Sequence, residues 1–186
     1  MRLLKKVWRF LKNPIYQQYS YPKKLRWKVF KNLLCLDLLL AITLAILTRL
    51  LLAIFDIEIG NNRLTKIEEL YSPLMFVFII VVFAPILEEL LFRWPLVFLK
   101  KSSYFSMALY ASIFFFGIAH IINYENFQKN LWISLLLVLP QSIGGVFLSF
   151  IRVRMGIVYS ILFHATFNGI LTIPSVFLKS LKSLIS

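Results

Sequence analysis

Long apolar runs, each bounded by charged or polar residues, dominate the chain. After a basic N-terminal stretch, these runs cover approximately residues 33–55, 73–99, 104–122, 131–150 and 157–178. A helix rises about 1.5 Å per residue, so each run is long enough to cross most or all of the hydrocarbon core of a bilayer. The pattern predicts an all-α fold, a polytopic membrane helix bundle with about five to six spanning helices.

The residues before the first run have the pattern of an amphipathic surface helix. Over residues 2–12, at about 100° per residue, one arc is basic and the opposite arc is apolar: Arg2, Lys5, Lys6, Arg9 and Lys12 against Leu4, Val7, Trp8 and Leu11. Such a helix lies in the plane of the membrane surface. We therefore divide the chain into a basic amphipathic N-terminal segment, residues 1–31, and a transmembrane helical domain, residues 32–186.

Composition and charge narrow the class of protein. The 186 residues are 60% hydrophobic, which excludes an ordinary soluble domain, and the formal net charge is +13. The basic residues flank the apolar runs, which is typical of contact with an anionic inner leaflet and not of nucleic-acid binding. By the positive-inside rule, the basic clusters at 23–31, 100–101 and 152–154 predict a cytoplasmic N-terminus and five spans. Lys179 and Lys182, at the far end, disagree weakly with that topology.

Five ionisable residues within the apolar runs stand out. Charged groups at membrane depth are costly unless they are paired or hydrated, so each one suggests a functional role. They are Glu88, Glu89 and Arg93 in the second run, His120 at the end of the third and His164 in the last. The two histidines are the only ones in the chain.

Helical spacing separates the two glutamates. Glu89 and Arg93 are four residues apart, the spacing at which a carboxylate and a guanidinium pair on one helix face. Glu88 points about 100° away and is therefore the better candidate for chemistry. Pro85, one turn earlier, removes a backbone hydrogen bond and frees a carbonyl that protein or cavity water must satisfy.

Each histidine has an asparagine at helical spacing. His120 is followed by Asn123 and His164 by Asn168, so each pair shares a face if the helix continues. A carboxylate can take a proton from water and return it, a histidine can position that water, and a His-Asn pair can donate to an oxyanion. This combination suits peptide hydrolysis, although the polar residues could instead tie helices together.

The ordered motifs resemble a known family. They are Glu88-Glu89-x-x-x-Arg93, then Phe116-x-x-x-His120 with Asn123, then His164-x-x-x-Asn168. In this order, on successive apolar runs, they resemble the CAAX prenyl protease and bacteriocin-processing (CPBP, or Abi) family across a motif core of residues 73–173. The resemblance implies an α-helical membrane endopeptidase that needs no cofactor.

The resemblance also implies a role for each residue. Glu88 and His120 would activate the catalytic water, and His164 with Asn168 would stabilise the oxyanion. Asn123 would support His120, and Glu89 with Arg93 would form a structural brace.

The small, basic, Lys- and Phe-rich chain resembles bacterial relatives, which are associated with bacteriocin maturation, self-immunity or processing of membrane peptides. We therefore expect a multi-pass protein of the bacterial cytoplasmic membrane. Its partners would be a membrane protein or peptide substrate and the bilayer, with no nucleic acid and an oligomeric state left open.

Three other functions stay open at this point. Two histidines and a glutamate could hold Zn²⁺ while the other glutamate serves as base, which would make the protein a zinc protease. A non-catalytic immunity or scaffold protein could use the same cluster only to fix helix packing. A proton-coupled transporter also uses buried Glu, His and Arg, but we find no internal repeat of the kind that such transporters have.

Straight helices would not bring the candidate residues to one depth. Glu88 would lie near the middle of its run and His120 near the end of the next, a mismatch of about 10 Å at about 1.5 Å per residue. The sequence therefore predicts bends, for which Pro85, Pro95 and Pro140 are the obvious places.

Overall fold

The computed structural model describes residues 2–20, 22–57, 62–124 and 131–185. Within these ranges the chain forms nine α-helices and no strand, which confirms the all-α prediction. In chain order they are α1 Arg2–Lys12, α2 Lys23–Ile54, α3 Arg63–Leu70, α4 Pro73–Phe78, α5 Ala84–Phe92, α6 Phe105–Ala119, α7 Leu131–Leu137, α8 Leu139–Met155 and α9 Ile157–Ile185.

In the part of the chain that the structure describes, four helical segments are long and apolar enough to cross a membrane. They are Lys23–Ile54, Pro73–Val97, Phe105–Asn123 and Ile157–Ser183. The predicted run at residues 131–150 is interrupted at Val138, and α8, with 17 residues, carries Arg152 and Arg154 in its last turn. The predicted bundle is therefore confirmed, and α8 lies among the four long helices.

Helix α8 is the centre of the bundle and contacts α2, α6 and α9. Its half from Phe147 to Met155 is buried throughout, so its surroundings are mostly protein and its sequence needs fewer apolar residues. Small residues let the helices approach closely: a Cβ atom on Gly117 of α6 would clash with the Ser142 hydroxyl of α8.

The second membrane segment is not a uniform α-helix. A π-helical turn, Ile79–Phe83, joins α4 to α5, and the N–H of Ala84 donates to the carbonyl of Ile79. In the same pattern, the Ile80 carbonyl would accept a hydrogen bond from the N–H of residue 85. That residue is Pro85, which has no N–H. The turn therefore leaves the Ile80 carbonyl free, as the position of Pro85 predicts.

The three prolines lie where the α-helical pattern changes. Pro85 follows the π-turn, Pro95 lies in the 3₁₀ turn Trp94–Val97 that follows α5, and Pro140 lies in the first turn of α8. Helix α5 consequently ends at Phe92, before the end of the predicted run. The bends occur at the predicted positions, and Glu88 comes to lie near the end of its helix.

The bundle has two distinct ends. Helix α1 forms over the predicted residues and packs against the end of α8 through buried Val7 and Phe10, whereas Leu4 and Trp8 of its apolar arc are exposed. Phe10, which is outside the predicted apolar arc, therefore makes the buried contact with α8 in place of Leu4 and Trp8. At the opposite end, Lys179 of α9 lies 3.3 Å from Glu68 of α3. The basic cluster before the first apolar run is also helical. Helix α2 therefore begins at Lys23 and not at the start of that run.

Candidate active site

Glu89 lies at the centre of a buried polar cluster. Its Oε1 atom is 3.3 Å from Nη1 of Arg93 and 3.2 Å from Nδ1 of His164, and its Oε2 atom accepts a hydrogen bond from the Ser160 hydroxyl. The side chains of Glu89 and Arg93 are fully buried. The predicted ion pair between them is therefore present. Glu89 also connects α5 to α9 through its contacts with His164 and Ser160.

Arg93 is enclosed by aromatic and backbone groups. Its guanidinium carbon lies 3.7 Å from the ring centroid of Phe116, a cation–π contact. A Cβ atom on Gly145 of α8 would lie 3.2 Å from Phe116 and 3.3 Å from Nη2 of Arg93. Glycine at this position therefore leaves room for the stacked pair. The Arg93 carbonyl accepts a hydrogen bond of 3.2 Å from Nε of Arg152.

Glu88 faces both histidines. Its Oε2 atom lies 3.6 Å from Nε2 of His164 and 4.0 Å from Nε2 of His120, and this oxygen has no hydrogen-bond partner among the described residues. Separations of this size are longer than a direct hydrogen bond and leave room for a bridging water. Helix α5, the end of α6 and α9 thus bring the three predicted side chains together.

The end of α6 orients His120. The backbone N–H of His120 donates to Gly117, three residues earlier, as α6 gives way to the 3₁₀ turn His120–Asn123. The Phe116 carbonyl is thereby left for the His120 ring, whose Nδ1 lies 2.8 Å from it. With Nδ1 donating to this carbonyl, Nε2 of the neutral ring faces Glu88 as an acceptor.

Asn123 has no contact with the His120 ring among the described residues, so its support of His120 stays a prediction. It lies half-buried at the end of the 3₁₀ turn, and the described contacts of the His120 ring are with Phe116 and Glu88. The Phe116 ring also contacts both imidazoles, with centroid distances of 4.9 Å to His120 and 5.7 Å to His164.

Asn168 satisfies the carbonyl that Pro85 frees. Its Nδ2 atom donates to the Ile80 carbonyl over 2.9 Å. Asn168 lies one turn after His164 in α9, so this bond fixes the helix that carries His164 against the π-turn that precedes Glu88. The side-chain amide has a second N–H that this bond does not use.

Three residues that the sequence analysis did not single out matter here. Ser160 lies one turn before His164 on the same face of α9. This spacing is the feature of the sequence that could have identified Ser160 as a site residue. Gly145 ends the stretch from Pro140 that allows close packing of the fourth run against the site, but glycine is common where membrane helices pack, so the signal was weak. Asp37 is an acid inside the first apolar run, which was a clear signal. It is buried against Gly144 of α8, and its Oδ1 has no hydrogen-bond partner among the described residues.

The donor set Glu88, His120 and His164 has the composition of a catalytic zinc site. In the described ranges, however, no three His, Cys, Asp or Glu side chains are grouped so that they could hold a metal ion. The question of zinc therefore requires a direct metal measurement.

Comparison with known proteins identifies the family. A family model described as type II CAAX prenyl endopeptidase Rce1-like matches residues 70–170, more than half of the chain, and this range includes every candidate site residue. No curated protein and no solved structure matches the chain. The match confirms the predicted resemblance, and the four long apolar helices agree with an integral membrane protein. The chain belongs to the Rce1-like family of type II CAAX prenyl endopeptidases, which are membrane proteases.

Proposed function

We propose that the protein is a metal-independent intramembrane endopeptidase that hydrolyses a peptide bond of a membrane-associated protein or peptide. Family membership supplies the reaction class. The observation that supports the assignment of roles is the position of Glu88, whose Oε2 atom faces Nε2 of both His120 and His164.

Glu88 and His120 activate the water. A water between them donates one hydrogen bond to Oε2 of Glu88 and another to Nε2 of His120, which is free to accept because Nδ1 is bonded to the Phe116 carbonyl. Glu88 takes the first proton as the water oxygen forms a bond to the carbonyl carbon of the substrate. The carbonyl π electrons move to its oxygen, which becomes an oxyanion.

His164 and Asn168 stabilise that oxyanion. Nδ1 of His164 is committed to Glu89, so Nε2 donates when the ring carries both protons, and the two neighbouring glutamates supply the compensating negative charge. Asn168 contributes its second amide N–H. When the intermediate collapses, the C–N bond breaks and Glu88 returns its proton to the leaving amine.

The contrast between the adjacent glutamates supports catalysis over a purely structural role. Glu89 forms an ion pair with Arg93 and contacts His164 and Ser160 of α9, so it connects two helices. The Glu88 side chain is 28% exposed, and its Oε2 makes no hydrogen bond within the described residues. A carboxylate that served only to fix helix packing would be expected to make such bonds.

The test is cleavage of membrane-anchored reporter peptides by the detergent-purified protein. Glu88→Gln, His120→Ala and His164→Ala should each lower the rate by about 10²- to 10⁴-fold, the usual contribution of a general acid–base group or of an oxyanion donor. Asp37→Asn is the matched control, because it also converts an intramembrane acid to its amide but has no described contact with Glu88 or either histidine, and it should retain the wild-type rate. Unchanged cleavage in the three site variants would disprove the roles assigned here.

A second measurement addresses zinc. Purified active protein should contain no stoichiometric zinc, and dialysis against a chelator should leave the cleavage rate unchanged. Stoichiometric zinc that is lost together with activity, and activity that returns on adding zinc, would support the zinc protease instead.

A further inference from the structure

Helix α1 separates two cavities of opposite character. One, of about 420 Å³, is apolar and lies between α1 and the membrane helices α2 and α8; its walls include Leu4, Trp8, Leu11, Leu40 and Ile143. The other, of about 550 Å³, lies on the opposite face of α1 and is basic, with Lys6, Arg9, Lys12 and Arg154 among its lining residues. Among the described residues, no acidic side chain lines the basic cavity.

Arg154 is the buried member of this basic cavity. It is only 8% exposed, its Nη1 atom donates to the Gln17 carbonyl over 2.8 Å, and its guanidinium lies beside the rings of Tyr19 and Phe10. Its Nε atom is buried without a hydrogen-bond partner, and no carboxylate of the described residues pairs with it. A buried cation without a counter-charge is costly, so an anion that enters the cavity would be bound favourably.

We infer that the basic cavity binds the headgroup phosphate of an anionic phospholipid. The opposite, apolar face of α1 adjoins membrane helices, so α1 lies at the membrane interface and the basic cavity lies at the depth of the headgroups. An anionic headgroup keeps a net negative charge, whereas a zwitterionic one brings its own cation. Arg9, Lys12 and Arg154 therefore favour the anionic lipid.

Bound lipid stabilises the N-terminal part of the protein. We call residues 13–20 the strap, because they run from α1 across the end of α8. The N–H of Tyr19 donates to the Arg154 carbonyl over 2.8 Å, and Arg152 donates to the Tyr16 hydroxyl and to the Arg93 carbonyl, each over 3.2 Å. A headgroup at Arg154 thus reinforces the contacts of the strap, and the melting temperature should rise.

Titration of the detergent-purified full chain with dihexanoyl phosphatidylglycerol tests this proposal. We expect saturable binding and a higher melting temperature, neither of which dihexanoyl phosphatidylcholine should produce. Arg9→Gln combined with Lys12→Gln should weaken binding about thirty-fold, since each surface cation contributes about five-fold. Both positions are exposed, so this variant should fold. Lys100→Gln combined with Lys101→Gln is the control of equal charge, and it should bind like the wild type.

Three outcomes would overturn the proposal. Equal binding of the two lipids would show that the headgroup is not recognised. An equal loss of affinity in the control variant would show a general effect of net charge. If inorganic phosphate alone raised the melting temperature as much as phosphatidylglycerol, the cavity would be a site for a soluble anion and not for a lipid.

Discussion

At the scale of single residues, two adjacent carboxylates have different surroundings because they point to different sides of α5. Glu89 is fully buried and paired with Arg93, whereas Glu88 is partly exposed and has no hydrogen bond on the oxygen that faces the histidines. Loss of one partner of a buried ion pair leaves an uncompensated charge, but loss of an unbonded carboxylate does not. Stability and activity should therefore separate at these two positions.

We expect Glu89→Gln to lower the free energy of unfolding by about 3–5 kcal/mol, because Arg93 keeps its charge in a buried site. Glu88→Gln should leave that free energy nearly unchanged while it abolishes cleavage. Unfolding in mixed micelles at increasing SDS, measured on both variants, checks the comparison. A Glu88→Gln variant as unstable as Glu89→Gln would show that Glu88 is also structural.

Asp37 gives a second residue-scale prediction. Its Oδ1 atom is buried and has no hydrogen-bond partner among the described residues, and the carboxyl faces Gly144. Burial of an ionisable carboxyl without a partner costs more than burial of an amide of the same shape. Asp37→Asn should therefore raise the melting temperature in detergent. A marked decrease would indicate that the carboxyl has an essential partner, such as a bound water or cation.

At the scale of helices, the junction between the π-turn and α9 depends on one hydrogen bond. Asn168 donates to the Ile80 carbonyl, which is free because Pro85 has no N–H. Asn168→Ala should cost about 1–3 kcal/mol of unfolding free energy, since a carbonyl at membrane depth is left unsatisfied. In a Pro85→Ala background the new N–H can reach that carbonyl, so the same substitution should cost much less. Equal costs in the two backgrounds would contradict this coupling.

The contact between α6 and α8 offers another test. A Cβ atom on Gly117 would clash with the Ser142 hydroxyl, so Gly117→Ala should destabilise the bundle by about 1–3 kcal/mol through overpacking. Ser142→Gly removes the opposing atoms and should restore most of the loss. Melting temperatures of the two single variants and the double variant measure this effect. Additive losses would show that the two helices do not approach so closely in solution.

The sequence predicts the interiors of the helices better than their ends. Long apolar runs locate α2, α6 and α9, because lipid-facing segments require continuous apolar residues. The π-turn has its partner in another helix, because Asn168 of α9 donates to the Ile80 carbonyl, and local spacing does not encode such a partner. At the 3₁₀ turn after α6, spacing leaves open whether a backbone or a side-chain group pairs with His120. The partner that the structure describes for Nδ1 of His120 is the Phe116 carbonyl, four residues earlier.

The same distinction applies to the candidate site. Glu88, His120 and His164 are recognisable from the sequence, because ionisable residues are rare at membrane depth. They also occur in the order of the family motifs, on successive apolar runs. Ser160 and Gly145 belong to residue types that occur throughout membrane helices, so their places beside Glu89 and Arg93 appear only in the fold. Asp37 was visible in the sequence, but its position against Gly144 was not.

At the scale of the whole molecule, α8 decides how many times the chain crosses the membrane. Among the described residues, four segments have the length and apolar composition of a span, and four crossings would place Lys179 on the same side as Lys101. The pairing of Lys179 with Glu68 of α3 places the end of α9 beside the loop that follows the first span. That position requires α8 to cross as a fifth helix, which is possible because its neighbours are protein and not lipid.

Cysteine labelling distinguishes the two topologies. Cys35 is the only cysteine, so Cys35→Ala gives a background without thiols. In oriented membranes a membrane-impermeant maleimide should label Lys101→Cys and Lys179→Cys from opposite sides, and Glu68→Cys from the same side as Lys179→Cys. Labelling of Lys101→Cys from the cytoplasmic side would agree with the basic N-terminal clusters facing the cytoplasm. If the cysteines at 101 and 179 react from one side, α8 does not cross, and α9 cannot present His164 to Glu88 in the direction described here.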